Sequence, residues 1–421
     1  MRNVYLSFLG LGVYQPTVYK LGEHTSSETK FVQVAEIELL GAKNFDTVLI
    51  AATPESFEKH AATITDQLES IGATVNFIDI SNEMTPETQW KWFEHILSHI
   101  QHEDRLTVDM THGFRAIPIL FSSAINFLQK SRNISLQAVY YGVFEQKDEK
   151  GRAPIVDMKG FYLINEWADA VSRLVEEADA RKMAEVARKT TDFQAGELND
   201  QKIIAALDDL TNTVRNVDVN NVAQKANTAI RLIQRKKEGA SETGQLLLNL
   251  VFDKFVSLCT ETGAFSRYDR EYFKLQIEII RLLLEHKLFM QAYTVMREFI
   301  ASLVMVFFER RELTKEDRNN LRGQFADVFF NMFQFSKWNF SEKDSQKVQE
   351  IMPFYEELKA NGIENEIRGL FGKLAAYRNG FDHAWIGHKK APSNIAQKGD
   401  EYLEKLQDVM KLMDSAGTWN A

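Results

Sequence analysis

Residues 106–130 read LTVDMTHGFRAIPILFSSAINFLQK, and this stretch decides the fold class of the first part of the chain. Its apolar start predicts a strand over 106–111, and the spacing of apolar residues after Gly113 predicts a helix over 116–130. Four other short runs also predict strands, at 3–9, 47–51, 74–79 and 136–141. Because strands that alternate with helices form parallel sheets, residues 1–165 are predicted to be an α/β domain.

Capping signals mark where helices of this domain begin. Thr53-Pro54 and Thr85-Pro86 each place a capping residue before a proline at the first helical position. Thr25-Ser26-Ser27-Glu28 has the form of a capping box, so a helix is predicted to start there. The connection at 10–24 would then be longer than an ordinary strand-to-helix loop, which favours a role in embracing a ligand.

From residue 161 onward the strand signal disappears and the sequence predicts helices. A polar break at 236–242 divides this half into a charged stretch and a more apolar one. We predict an all-α connector at 166–260 and an all-α domain at 261–421. The apolar run at 299–308 has about half the length that a membrane span requires, so it is predicted to be a buried helix.

Composition and charge exclude several classes of protein. Cys259 is the single cysteine, which excludes a disulfide framework and a site with several thiolate ligands. The net charge of −9 argues against broad capture of nucleic acid, and no stable DNA binding is expected. The first residues lack the pattern of a signal peptide. We therefore expect a cytoplasmic protein that does not bind membranes.

The segment 108–115, VDMTHGFR, follows a predicted strand and leads into a helix. The free N–H groups at the start of that helix, together with Arg115, would form an anion site. Gly113 would allow the backbone to approach a ligand closely. The alternative is a tight turn between strand and helix with a capping threonine, and residue types alone do not decide between the two.

The segment 377–383, YRNGFDH, places an arginine five residues before a histidine. Cleavage of a phosphodiester needs an acid or base, which His383 would supply, and a cation near the phosphate, which Arg378 would supply. On a regular helix these two positions lie about 140° apart. The alternative is a surface ion pair between Arg378 and Asp382 with an incidental histidine.

Both segments are similar to signatures of known families. The run Asp-x-Thr-His-Gly-x-Arg at 109–115 resembles a signature of the CARF domain, the CRISPR-associated Rossmann fold. FLGLGVY at 8–14, YYGVFE at 140–145, PIVD at 154–157 and EWA at 166–168 resemble other parts of that domain. The segment 377–383 resembles the Arg-Asn-x3-His signature of HEPN ribonucleases. The chain thus resembles the CARF–HEPN accessory ribonucleases of type III CRISPR systems over roughly 1–175 and 285–390.

This resemblance implies a function and a set of site residues. It implies a Rossmann-like sensor with a parallel sheet at 1–165 and a HEPN domain at 261–421. The sensor would bind a cyclic oligoadenylate, for which we favour cyclic tetra-adenylate over hexa-adenylate. A homodimer or higher oligomer would then cleave single-stranded RNA without metal or cofactor, leaving 2′,3′-cyclic phosphate ends. The predicted catalytic residues are Arg378, Asn379 and His383, and the predicted ligand-binding residues are Gly10, Gly12, Tyr14, Thr53, Glu55, Thr111, His112, Gly113 and Arg115.

Other patterns have less specific interpretations. Gly10-x-Gly12 is typical of nicotinamide dinucleotide binding only if a third glycine follows, and position 15 is glutamine. Thr53 and Glu55 can equally be a helix cap and a carboxylate favoured by the helix dipole. His95, His99 and His102 are spaced for one helix face, which we interpret as its solvated side and not as a zinc site. Arg297-Glu298 would support the nuclease site or form the polar edge of a core helix.

Two other functions remain as alternatives. One is a ligand-responsive regulatory protein whose HEPN-like domain is inactive and serves for dimerisation. The other is a nucleotide-metabolising Rossmann enzyme, against which the missing third glycine argues.

Overall fold

A computed structural model describes residues 1–83, 85–112, 117–189, 199–261, 268–308, 315–330, 342–386 and 392–420. The chain divides into two compact units, Met1–Asn165 and Glu166–Ala421. The further boundary that the sequence suggested between 260 and 261 stays a prediction.

The first unit alternates strands and helices. Its strands are β1 (Asn3–Leu9), β2 (Val18–Leu21), β3 (His24–Thr25), β4 (Thr47–Ala52), β5 (Val75–Asp79), β6 (Arg105–Asp109), β7 (Ser135–Gly142) and β8 (Arg152–Asp157). Its helices are α1 (Val32–Leu40), α2 (Pro54–Ser70), α3 (Pro86–His99), α4 (Ile117–Ser131) and the start of α5 (Lys159–Glu177).

The strands form one sheet in the order β3-β2-β8-β7-β6-β1-β4-β5. The five strands from β7 to β5 in that order are mutually parallel, and β1 lies between β4 and β6. On one face of β1, Phe8 packs with Trp92 of α3, and on the other Tyr5 packs with Ile64 of α2. The predicted fold class is confirmed, because helices cover both faces of a mainly parallel sheet.

The edge of the sheet beyond β7 differs from the prediction. β8 pairs antiparallel to β7, and β2 and β3 add a short hairpin beside it. The predicted capping box at 25–28 is wrong, because Thr25 belongs to β3 and α1 begins only at Val32. The Ser26 hydroxyl instead accepts a hydrogen bond of 3.0 Å from the backbone N–H of Tyr19. The connection at 10–24 is therefore a shorter loop followed by this hairpin.

The two other predicted helix starts are confirmed. The Thr53 hydroxyl accepts a hydrogen bond from the Ser56 N–H, and the Ser56 hydroxyl accepts one from the Thr53 N–H, so both cap α2. Thr85 caps α3 in the same way, by accepting from the Thr88 N–H. Each pair satisfies backbone donors that the first turn of a helix leaves unpaired.

The second unit is helical throughout the residues described. After α5 come α6 (Arg181–Lys189), α7 (Gln201–Arg215), α8 (Val219–Lys237), α9 (Glu242–Phe255), α10 (Arg270–Glu285), α11 (Phe289–Ser302), α12 (Val304–Phe308), α13 (Lys315–Gln324), α14 (Glu342–Ala360), α15 (Ile363–Asp382) and α16 (Ile395–Ala416). The predicted polar break separates α8 from α9. One cluster of buried side chains extends from Trp167 to Met413.

One stretch of this unit, Phe289–Phe308, is apolar and long enough to span a membrane by length and composition. It comprises α11 and α12, so the predicted helix at 299–308 is part of a longer helical stretch interrupted near Leu303. Of its most apolar 18-residue window, 72% is buried inside the protein. The core helix of a folded domain has the same properties, as the sequence analysis expected.

Candidate functional site

The predicted ligand-binding residues that the structure describes lie on the loops after β1 and β6 and at the start of α2, which follows β4. Because these strands are adjacent and parallel, their carboxyl ends share one edge of the sheet, which is where such folds bind ligands. The ring centroids of Tyr14, after β1, and His112, after β6, are 4.6 Å apart. We call this region the sensor edge.

Tyr14 organises the loop after β1. Its hydroxyl donates to the Gly10 carbonyl at 3.0 Å and accepts from the Gly10 N–H at 2.9 Å. Its ring contacts Phe31 on one side and His60 on another, at centroid distances of 5.2 and 4.7 Å. Burial raises the pKa of Tyr14 to about 12, so its hydroxyl keeps its proton at physiological pH. The Tyr14 side chain thus closes the loop onto its first residue.

Asp109 and Thr111 of the DxTHG segment hold the fold together at this edge. The buried Asp109 carboxylate accepts from the Thr111 N–H at 2.8 Å, from the Thr111 hydroxyl, and from Ser7 of β1 at 2.6 Å. The Thr111 hydroxyl in turn accepts from the Gly142 N–H of β7 at 2.8 Å. These bonds fix the ends of β1, β6 and β7 relative to each other.

The His112 ring, unlike Asp109 and Thr111, keeps one nitrogen free of hydrogen bonds within the described part of the chain. Burial lowers the pKa of its ring, while the neighbouring Asp109 opposes this shift. Burial likewise raises the pKa of Asp109, opposed by His112. The His112 Nε2 atom is buried and makes no hydrogen bond within the described part of the chain. A neutral imidazole with an unused nitrogen at this edge is suited to a hydrogen bond with a ligand.

Thr53 and Glu55 differ in what they offer a ligand. Thr53 is 3% exposed and its hydroxyl caps α2, which is the capping role that the sequence left open. Glu55 is exposed, and a hydrogen bond from Asn82 lowers its pKa, so it carries a charge beside the loop after β5. Gly113 and Arg115 lie outside the described residues. Gly12 has open space around its Cα.

Sequence reasoning missed two residues of α2 that contact the same loop. Lys59 Nζ donates to the Leu11 carbonyl at 2.8 Å, and His60 Nε2 lies 3.1 Å from the Gly12 carbonyl. A lysine and a histidine near the start of a helix give no sequence signal for such contacts. Only the three-dimensional packing of α2 against the loop reveals them.

In the second unit, the three predicted catalytic residues lie at the exposed end of α15. Arg378 Nε forms an ion pair of 2.8 Å with Asp382, which is the surface pair that the sequence offered as an alternative. Asn379 is exposed, and its carbonyl accepts the His383 N–H at 3.0 Å. His383 follows the last helical residue and is also exposed. Within one chain the arginine is therefore bound to Asp382.

The chain reverses sharply directly after His383. Ala384 and Trp385 both adopt left-handed conformations, with φ of 48° and 56°, and the Trp385 N–H donates to the Gly380 carbonyl at 2.7 Å. The indole lies on Gly380, where an added Cβ would come within 2.3 Å of the ring. It also contacts Phe381 at a centroid distance of 5.4 Å. A side chain at position 380 would therefore displace the indole from the turn that follows His383.

Two further sequence patterns have structural explanations. Glu298 bonds to Arg297 at 2.7 Å and also to Arg322, and Arg297 lies over the Phe371 ring. This network joins α11, α13 and α15. In the histidine series, a His95 ring nitrogen lies 2.9 Å from the Asp79 carbonyl, and the described residues contain no group of three metal-ligating side chains.

Comparison with known proteins gives one related sequence. A CRISPR-associated protein of Methanocaldococcus jannaschii is 22% identical over 213 residues, which cover 49% of this chain and 30% of that protein. This chain is thus similar to a CRISPR-associated protein over about half of its length. The predicted resemblance is confirmed at this level, and the match spans less than a third of the relative's length. No family model matches the chain.

Comparison with solved structures also aligns this chain with Enterococcus italicus Csm6 bound to cyclic hexa-2′-fluoro-hexa-dAMP. It aligns over 97% of this chain and 93% of its own, with 8% identity and a TM-score of 0.44. Similarity at this level carries no information about individual site residues.

Proposed function

We propose that this CRISPR-related chain is a ribonuclease activated by a cyclic oligoadenylate, and that it cleaves single-stranded RNA without a metal ion. The observation that carries the proposal is the convergence of Tyr14 and His112 at the sensor edge, from loops that the sequence assigns to one ligand site. We favour cyclic tetra-adenylate as the activator, as at the sequence level. In this proposal the protein acts in the cytoplasm, in type III CRISPR defence.

The sensor edge has the chemistry that a cyclic nucleotide needs. Aromatic rings of Tyr14, His60 and His112 offer surfaces for stacking a base. The buried His112 nitrogen offers a hydrogen bond, and the open space at Gly12 allows the backbone to be approached closely. Arg115, which precedes α4 by two residues in the sequence, would add a cation for a phosphate.

The catalytic step that we assign to the end of α15 consumes no water molecule and needs no metal ion. His383 takes the proton of a ribose 2′-hydroxyl, whose oxygen attacks the adjacent phosphorus while the bond to the 5′-oxygen breaks. Arg378 offsets the charge that develops on the phosphate, and Asn379 donates a hydrogen bond to it. The protonated His383 then gives this proton to the leaving 5′-oxygen, and the products are a 2′,3′-cyclic phosphate and a 5′-hydroxyl.

A second copy of the chain completes this site in our proposal. Arg378 and His383 lie on different sides of the helix end, and Arg378 is paired with Asp382. Two copies related by a twofold axis would bring Arg378 of one chain towards His383 of the other. The RNA phosphodiester, whose one negative charge is shared by two non-bridging oxygens, would then compete with Asp382 for the guanidinium group.

A second candidate function follows from the same ion pair. If Asp382 retains Arg378, the helical unit has no free cation at the motif, and the chain is a ligand-responsive regulatory protein without nuclease activity. An exposed ion pair contributes only about 0–1 kcal/mol, so a phosphate can displace it. We therefore place the ribonuclease first.

The test is an RNA cleavage assay in EDTA, with and without cyclic tetra-adenylate or hexa-adenylate. We expect cleavage only with an activator, and 2′,3′-cyclic phosphate ends on the products. Activity lost in EDTA and restored by a divalent ion would exclude the metal-free mechanism. Activator binding without any cleavage would favour the regulatory protein, and no binding of either ring would remove the sensor assignment.

A further inference from the structure

The loop after β1 is fastened to α2 by two consecutive side chains. Lys59 Nζ donates to the Leu11 carbonyl at 2.8 Å, and His60 Nε2 lies 3.1 Å from the Gly12 carbonyl. Both acceptors belong to the loop that Tyr14 closes on itself at Gly10. The two contacts therefore set the distance between α2 and the sensor edge.

The Lys59 contact leaves most of its hydrogen-bonding capacity for a ligand. An ammonium group has three N–H donors, and the Leu11 carbonyl takes one of them. The carbonyl fixes the position of the charge without neutralising it. Since the contact involves no carboxylate, the positive charge of Lys59 stays available next to the loop.

Two lysines act on the ring of His60. Burial lowers the pKa of His60, the Gly12 carbonyl opposes this, and the charges of Lys59 and Lys30 lower it further. Both lysines are therefore close enough to the ring to affect it. Two positive charges therefore act near the edge where Glu55 carries a negative charge and where His112 has an unused buried nitrogen.

We propose that Lys59 binds a phosphate of the ligand at the sensor edge, and that His60 is a positioning residue that holds the loop around it. This assignment rests on the proposed function, since the anion is taken to be a cyclic oligoadenylate. Lys59 is prepared for this role by the Leu11 carbonyl, which orders its flexible side chain before the ligand arrives. His60 contributes through Gly12 and through its contact with the Tyr14 ring.

The experiment measures the affinity of the full chain for cyclic tetra-adenylate and hexa-adenylate at several salt concentrations. Lys59→Gln should weaken binding by roughly ten- to a hundredfold at low salt, and the difference from wild type should shrink as salt screens the charge. Lys59→Arg should restore most of the affinity. His60→Ala should weaken binding by a salt-independent factor, because it removes no charge from the ligand contact.

The matched control is Lys91→Gln, which removes the same charge from α3. Lys91 is exposed and pairs with Glu87 of its own helix at 2.9 Å. We expect the Lys91→Gln variant to bind both cyclic oligoadenylates with the affinity of the wild type. If wild type binds tightly and Lys59→Gln binds equally well, the Lys59 assignment is wrong while the proposed function stands. If wild type binds neither ring, the proposed function is wrong and the assignment falls with it. Thermal denaturation of each variant separates lost binding from lost folding.

Discussion

The sensor edge and the end of α15 bring functional residues together in different ways. At the sensor edge, Tyr14 and His112 are almost a hundred residues apart in the chain and yet in ring contact, because parallel strands end at one edge. At the end of α15, Arg378 and His383 are five residues apart and do not pair with each other; the arginine pairs with Asp382. Closeness in sequence is therefore a poor guide to convergence in space.

The difference has a physical origin. A parallel sheet directs several loops to one edge, so a single chain can surround a small ligand there. A helix rotates successive side chains by about 100°, so it directs neighbours to different sides. The described residues of the sensor edge converge within one chain, whereas in our proposal the α15 motif is completed by a partner surface.

The largest expected effect comes from removing the base at the α15 motif. His383→Ala should lower the rate of RNA cleavage by about a thousandfold, since general acid–base catalysis contributes typically 10²–10⁴. Affinity for the activator should stay unchanged, because the sensor edge contains no part of this motif. Cleavage kinetics and activator titration check the two statements. A variant that still cleaves at the wild-type rate would show that the motif is only a surface ion pair with a nearby histidine.

An intermediate effect should follow from a substitution at Gly380 that pushes against the Trp385 indole. Gly380→Ala places a methyl group against the indole, so it should destabilise the protein by about 1–3 kcal/mol and reduce cleavage. Gly369→Ala is the matched control on α15, because open space surrounds Gly369 and alanine is the better helix former, by about 0.5–1 kcal/mol. Melting temperatures should move in opposite directions. Equal shifts for the two variants would contradict the role of Gly380 in the reversal.

The smallest effect concerns a buried carboxyl group near the sensor edge. Burial, and then the charge of Asp109, raise the pKa of Glu36 well above its ordinary value; its Oε2 accepts a 2.7 Å bond from Tyr5. A carboxyl group whose pKa is higher in the folded than in the unfolded state contributes its full stabilisation to the fold below the unfolded-state pKa. This contribution is lost as the pH rises through the folded-state pKa. Glu36→Gln should therefore increase the melting temperature more at pH 8 than at pH 5. The same increase at both values would show that Glu36 is ionised in the fold.

Most of the sheet was predictable from sequence because its strands are continuous apolar runs. β1 has the predicted bounds, and the Thr-Pro pairs at 53 and 85 mark two helix starts. β8 was missed because its sequence, RAPIVD, contains a proline and lies at the side of the sheet that forms a hairpin. The cap predicted at 25–28 was wrong because Ser and Thr bond to the backbone in turns and hairpins as readily as at helix ends.

The candidate site was predictable only where topology determines contacts. The meeting of Tyr14 with His112 follows from the positions of their strand ends. The contacts of Lys59 and His60 depend on the length and angle of α2, which no motif specifies. The packing of Trp385 on Gly380 depends on the left-handed backbone of Ala384 and Trp385. Both residues carry side chains, and the sequence gives no signal for such a turn.

The sharing of one nuclease site between two chains is tested most directly by mixing Arg378→Ala with His383→Ala chains under conditions of subunit exchange. Each variant alone should be inactive. In a mixed dimer one of the two sites keeps both residues, so random exchange should restore about a quarter of the wild-type activity. Co-purification of differently tagged chains confirms the exchange. Activity that stays at the level of the unmixed variants, despite complete exchange, would contradict a site built from Arg378 of one chain and His383 of the other.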